Sequence, residues 1–174
     1  ICIPMPSSVY FYLGTRMKRV LGIDPGYGRV GWGVIEGERN SWKHVAHGCI
    51  ETSAKDSFVA RLNTIYTDLT QLITLYQPQD AGVEELFFAK NAKTAIDVAQ
   101  ARGVILLTLL QAKLPIQEFT PLQVKQALTG YGKAEKQQVQ KMVAMTLGCN
   151  TLSNQDDALD ALAVAITAGV SVHF

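Results

Sequence analysis

Four carboxylates stand out by position. Asp24 closes a short apolar run, Glu84 closes a second, and Asp157 and Asp160 lie three apart in a late, largely apolar stretch. Acidic oxygens gathered at one point repel each other unless a hard cation lies among them, and Mg²⁺ takes oxygen ligands of this kind. Two cations about 3.5–4 Å apart polarise a scissile phosphate, generate hydroxide and stabilise the leaving oxygen. The pattern therefore points to metal-assisted phosphodiester chemistry. Each member also has a plainer reading. Asp24-Pro25-Gly26 makes a turn between strands, Glu84-Glu85 can be a solvated strand end, and Asp156 and Asp157 complement a helix N-terminus. Asp160 is harder to explain so, because it lies between Leu159 and Leu162 in a helix apolar through Ile166, where an unpaired charge is costly.

That chemistry requires elements that bring the four together. Arg19 to Asp24 reads as a strand stopped by Pro25-Gly26, Gly31 to Glu36 as a second and Lys43 to Thr52 as a third. Connections this short imply antiparallel pairing. The period then changes: Phe58, Leu62, Ile65, Leu69, Leu72 and Tyr76 fall three or four apart, an amphipathic helix ending before Pro78. Asp80 to Leu86 is the fourth strand; successive side chains on a strand point to opposite faces, so only one of Glu84 and Glu85 can join Asp24. A helix capped by Asn91 runs to about Lys113, and Pro115 to Phe119 is the fifth strand. Thr120 with Pro121 opens a short helix, Ala134 to Leu147 forms another, and Asn154 caps a last one running to about Ala168. The order predicts one α/β domain over residues 17–174, a mixed five-stranded sheet with helices on both faces.

The helix from Asn91 is apolar on two sides. Ala95, Ala99, Leu106 and Leu110 line one, and Val98, Ile105 and Leu109 the other. In a chain of 174 residues this favours a homodimer interface.

The composition is 48% hydrophobic and 18% charged, which excludes a disordered chain, and apolar runs are too broken for a span of about 20 residues. A net charge of +1 leaves affinity for a polyanion to local basic patches. Cys2, Cys49 and Cys149 have no zinc-ligand spacing, so a reducing compartment, the cytoplasm, fits best. Residues 1–16 read as an N-terminal extension that need not be ordered.

Ordered blocks carry a family resemblance. Leu21-Gly22-Ile23-Asp24-Pro25-Gly26 followed by Gly31-Trp32-Gly33-Val34-Ile35 resembles the opening of RuvC, the bacterial Holliday-junction resolvase. Val83 to Asn91, Gln100-Ala101-Arg102-Gly103-Val104, Gln123-Val124-Lys125-Gln126, Ala134-Glu135-Lys136 and Asp157 to Ala163 resemble its later blocks, in order, from about Lys18 to Gly169. The chain departs from the usual pattern at Tyr27-Gly28-Arg29-Val30, a loop that more often carries Ser or Thr, and at Trp32, where Tyr is usual.

The resemblance implies a ribonuclease H-like fold and a homodimer that places paired symmetric nicks in four-way DNA junctions during recombination and repair. It implies Mg²⁺, with Mn²⁺ able to substitute, two ions per site, and work alongside the RuvA and RuvB branch-migration proteins. By position, Asp24, Glu84, Asp157 and Asp160 are the catalytic carboxylates and metal ligands. Phe87 is placed to enter the junction and stack on an unpaired base, with Phe88 as the alternative. Lys90, Lys93, Arg102, Lys125, Lys133 and Lys136 are candidate phosphate contacts, and Lys125 or Lys136 could stabilise charge developing on the phosphate. Lys141, His44, His47 and His173 are expected to be plain surface residues. Two other readings are a junction-binding module with an inactive acidic cluster, and an actin-like ATPase, which needs two such halves where this length supplies one.

Overall fold

The computed structural model describes residues 17–39, 41–86, 92–149 and 155–171. The expectations for residues 1–16, Phe87, Phe88, Lys90, Asn91, Asn154 and His173, and for the Lys93 side chain, lie outside the described residues. β1 (Lys18–Asp24), β2 (Arg29–Glu38) and β3 (Ser41–Glu51) form an antiparallel meander, followed by α1 (Phe58–Tyr76) and β4 (Asp80–Glu84). Then come α2 (Ala92–Gln111), β5 (Ile116–Phe119), α3 (Pro121–Thr129), α4 (Lys136–Leu147) and α5 (Asp156–Val170). The sheet order is β3-β2-β1-β4-β5, with β4 parallel to both β1 and β5. The mixed five-stranded sheet expected from the sequence is present.

Strand alternation sends side chains into two cores. Leu21, Ile23, Val34, Ala81 and Val83 face α1 and α2, packing with Ile65, Leu69, Ala101, Ile105 and Leu109. Val20 and Ile35 face the other way, onto α5 with α3 and α4 behind it, among Val124, Val139, Val143, Leu162 and Ile166. Helices therefore cover both faces. Every residue of α5 from Ala161 to Ala168 is buried.

Local chemistry fixes the boundaries. Ser57 caps α1 by accepting from the Ala60 amide, and Gln77 ends that helix in the left-handed region. Thr120 caps α3 in a reciprocal capping box with Gln123, with Pro121 in the first turn. Two expected boundaries shift. β4 stops at Glu84 rather than Leu86, and Glu135 caps α4, so that helix begins at Lys136 rather than Ala134. The N-cap of α5 is Gln155, with no side-chain cap bond.

The two apolar sides expected of α2 are also redistributed. Ile105 and Leu109 are buried against the sheet, and Leu106, grouped with Leu110 on the other apolar side, packs against that same core. The outward apolar residues are Ile96, Leu107 and Leu110, at 60%, 54% and 65% exposure.

Candidate active site

Asp24 and Glu84 are brought together by parallel pairing. Ile23 is registered with Val83, so the next residue on each strand falls side by side at the C-terminal end of the sheet. Ile23 and Val83 both face α1 and α2, so Asp24 and Glu84 both turn toward α5. Glu85, past the strand end, is exposed. That resolves which acid of the pair joins Asp24.

The other two carboxylates arrive on α5, seated by glycines. On β1 a Cβ at Gly22 would lie 2.1 Å from the Ala161 carbonyl oxygen; on β2 a Cβ at Gly31 would lie 2.0 Å from that of Asp157. Real side chains never approach so closely, so bare backbone at both positions lets the helix lie directly on the sheet. Gly31 is registered with Asp24, so the same contact sets Asp157 beside Asp24. Asp160 follows one helical turn later on the same side.

Electrostatics show how crowded the cluster is. Burial, then the charges of Glu84 and Asp160, a hydrogen bond to Glu84 and the charge of Asp157 push the Asp24 carboxyl up to about 8. Burial raises Glu84 as well; the hydrogen bond from Asp24 and the charges of Lys125 and Lys136 pull against it, while Asp160 adds to the rise. Asp160 is raised by burial despite its bond from Lys136, with Asp156 and Asp157 adding to the effect. All three acids are displaced upward, by burial first and by a neighbouring acid second, and a divalent cation among them would oppose both effects. The donor set is oxygen only, which suits Mg²⁺ or Mn²⁺.

Among the described residues no three acidic, histidine or cysteine side chains close around one point as a preformed cation cage. Two of the acids are instead engaged by basic side chains. Arg29 Nη1 donates to Asp157 Oδ2 at 3.2 Å, and Lys136 Nζ donates to Asp160 Oδ2 at 2.9 Å. Beside the cluster, Glu84, Lys125, Lys136 and Asp160 line a recess of about 160 Å³ together with Pro121, Val124, Val139 and Ala163.

The other expected residues separate into groups. Lys125 and Lys136 are at the recess, and Lys133 is exposed on the loop before α4. Arg102 is elsewhere: it forms an ion pair with Glu118, whose strand neighbour Val83 faces the α2 core, so it lies across the sheet from the carboxylates. Lys141 is exposed as expected. His44 and His47 correct their expectation, being half-buried with their rings joined Nε2 to Nδ1 at 2.7 Å; burial lowers both, and His44 adds to the lowering at His47. Cys49 and Cys149 are free and half-buried.

Sequence reasoning passed over Arg29 and the glycine seat. Arg29 stood inside a loop noted only for departing from a pattern. Its sequence separation from Asp157 is 128 residues, so no local spacing marks the pair. The alternation Gly31-Trp32-Gly33 in a buried strand was the available signal for a helix pressed against it.

Comparison with known proteins gives a family and a fold. The family model described as crossover junction endodeoxyribonuclease RuvC matches residues 20–168. A curated relative of that name from Caldicellulosiruptor saccharolyticus is 53% identical over 149 residues, 85% of this chain and 90% of its own. Another from Thermosipho melanesiensis is 49% identical over 156 residues, 90% of this chain and 99% of its own. Among solved structures, T. thermophilus RuvC in complex with Holliday junction substrate superposes with a TM-score of 0.82 at 32% identity, over 86% of this chain and 92% of that one. A yeast mitochondrial Holliday junction resolvase, 13% identical with a TM-score of 0.63, shares the fold. The architecture is ribonuclease H-like.

Proposed function

Given that the chain belongs to the RuvC family of crossover junction endodeoxyribonucleases, we propose that it cuts four-way DNA junctions by paired, symmetric, metal-dependent nicks. The observation that carries this reading is the meeting of Asp24, Glu84, Asp157 and Asp160 at one end of the sheet, with Asp24 pushed up to about 8 by its acidic neighbours and its burial. In this reading Asp24, Glu84, Asp157 and Asp160 hold Mg²⁺, replaceable by Mn²⁺, with two ions per site. When bound, such ions supply Lewis-acid polarisation of the phosphate and a hydroxide nucleophile at neutral pH.

The chain's own residues set up the rest. Burial, the charges of Glu84, Asp160 and Asp157 and the hydrogen bond with Glu84 raise Asp24, so its ionised form is favoured by positive charge brought to the site. The recess holding Lys125 and Lys136 beside Glu84 and Asp160 has a positive wall next to a negative floor. A phosphodiester lying across it meets ammonium groups on one side and the metal ligands on the other. Lys133 extends the basic surface, and Phe87, Lys90 and Lys93 belong to the same DNA-binding proposal from the sequence. Arg102 is better assigned to holding α2 against β5 through Glu118.

Paired nicks require two sites related by symmetry, and the outward stripe Ile96, Leu107 and Leu110 on α2 supports a two-fold homodimer through that helix. RuvA and RuvB as partners, and the cytoplasm as location, are part of the same proposal, with family membership as their support. Among the described residues no helix is long and apolar enough to cross a membrane.

The test is nicking of a labelled mobile four-way junction against a duplex of the same sequence. Symmetric nicks confined to the junction, appearing with Mg²⁺ and abolished by chelator, are expected. Binding without nicks under any divalent ion would identify an inactive junction binder and overturn the reading.

A further inference from the structure

Lys136 is bracketed by two acids of α5. Its Nζ lies 2.9 Å from Asp160 Oδ2 and 3.5 Å from Asp156 Oδ2. Only Asp160 belongs to the metal-ligand set. Asp156 is 64% exposed at its side chain, and its other oxygen, Oδ1, accepts from Gln140 Nε2 at 3.1 Å. Gln140 is one turn after Lys136 on α4, so a single helix face supplies both contacts to Asp156. The start of α4 is itself fixed, since Glu135 and Gln138 close a capping box around it. The ammonium therefore hangs from a rigid point between two acceptors, one of which Gln140 holds in place. Arg29 shows the same arrangement, lying 3.2 Å from Asp157 and 3.4 Å from Glu51, an acid outside the set.

Lys136 holds Asp160 through Oδ2, one of the two oxygens Asp160 would offer a divalent cation. Were Asp160 to hold the cation through that oxygen, the ammonium would lose its acceptor there and Asp156, 3.5 Å away, would be the second one within reach. We propose that Asp156 is a positioning residue: it receives Lys136 when Asp160 turns to the metal, and keeps the ammonium at the rim of the recess instead of releasing it to solvent. Gln140 orients Asp156 for this. The inference rests on the metal-binding reading of the site, and it goes beyond it in giving Asp156 and Gln140 a role exerted through Lys136.

A double-substitution cycle read by Mn²⁺ affinity tests it, with Mn²⁺ titrated into full-length protein and free ion counted by electron paramagnetic resonance. Removing an acid near a metal site weakens binding by simple charge whatever its neighbours, so the informative quantity is the difference between backgrounds. Without Asp156, Lys136 competes harder for Asp160. D156N is expected to weaken Mn²⁺ about two- to fivefold beside the native lysine, the range exposed ion pairs provide. In a K136M background the same change is expected to cost less than about 1.5-fold. D156E, which keeps an acceptor, should restore most of the affinity, and thermal unfolding of the metal-free variants checks that each is folded. Equal weakening in both backgrounds overturns the inference and leaves the metal site standing. Failure of the native protein to bind Mn²⁺ at all overturns both.

Discussion

If four acids are crowded as described, removing one charge should strengthen the metal-free protein, and Asp24→Asn is the sharpest case. The Asp24 carboxyl is raised from 3.8 to about 8. The folded state then binds more protons than the unfolded chain between about pH 4 and pH 8, and stability falls as pH rises through that window. At pH 7 the separation from the unfolded value is about 3 units (7 − 3.8), which at about 1.36 kcal/mol each sets a ceiling near 4 kcal/mol. Asparagine removes the charge but still buries an amide, a cost of about 1–3 kcal/mol that offsets part of the gain. The expected net is a stabilisation of about 1–3 kcal/mol at pH 7, or roughly 2–12 °C in Tm for a chain of this size. Near pH 4, where folded Asp24 is neutral, the charge gain is gone and only the amide cost is left, so the variant should be no more stable than the native protein, or less stable by up to about 1–3 kcal/mol. The assay is thermal unfolding of both proteins in chelator from pH 4 to pH 8.5. Adding Mn²⁺ should then reverse the order, because only the native protein keeps its full ligand set. Identical Tm profiles across that pH range would refute the reasoning, since they would mean that neither burial nor the neighbouring acids raise Asp24.

Other consequences follow from the same geometry. Gly31→Ala places a methyl about 2 Å from the Asp157 carbonyl oxygen, so a loss of at least about 1–3 kcal/mol is expected together with loss of cleavage; urea unfolding and a nicking assay read both. Asp160→Asn should abolish cleavage while junction binding, read by gel shift, survives, because the carboxylate serves chemistry rather than DNA affinity. Lys125→Met should weaken junction binding and lower the slope of log K against log salt by about 0.9, the signature of one lost phosphate contact, read by fluorescence anisotropy at several salt concentrations. Leu107→Glu with Leu110→Glu on the exposed face of α2 should shift the protein in analytical ultracentrifugation toward the 19.0 kDa of a single chain.

The elements and the four acids were legible because their signals are local. Alternation in the strands, the three-and-four spacing of α1, the Thr120-Pro121 start and an acid stranded in the apolar helix each need only a few neighbouring residues. Strand alternation limited the site to one of Glu84 and Glu85, the family resemblance pointed to Glu84, and the Ile23–Val83 register supplies the reason. What stayed hidden depends on contacts between distant segments. Arg29 reaches Asp157 only because β2 lies beneath α5, and Asp156 matters only because α4 delivers Lys136 and Gln140 beside it. The two apolar sides of α2 divide differently for a related reason: helical spacing gives the angle between residues, while the breadth of the core decides that Leu106 joins Ile105 and Leu109 and Leu110 stays outside. Arg102 was grouped with the DNA contacts by its block, yet its position facing β5 gives it Glu118 as a partner.

Anomalous diffraction from a crystal soaked in Mn²⁺ tests the central claim most directly. Peaks bounded by Asp24, Glu84 and Asp160, with Asp157 completing the set and Lys136 displaced from Asp160, are the expected result. A map with no anomalous peak there, and the four side chains turned apart into solvent, would contradict it.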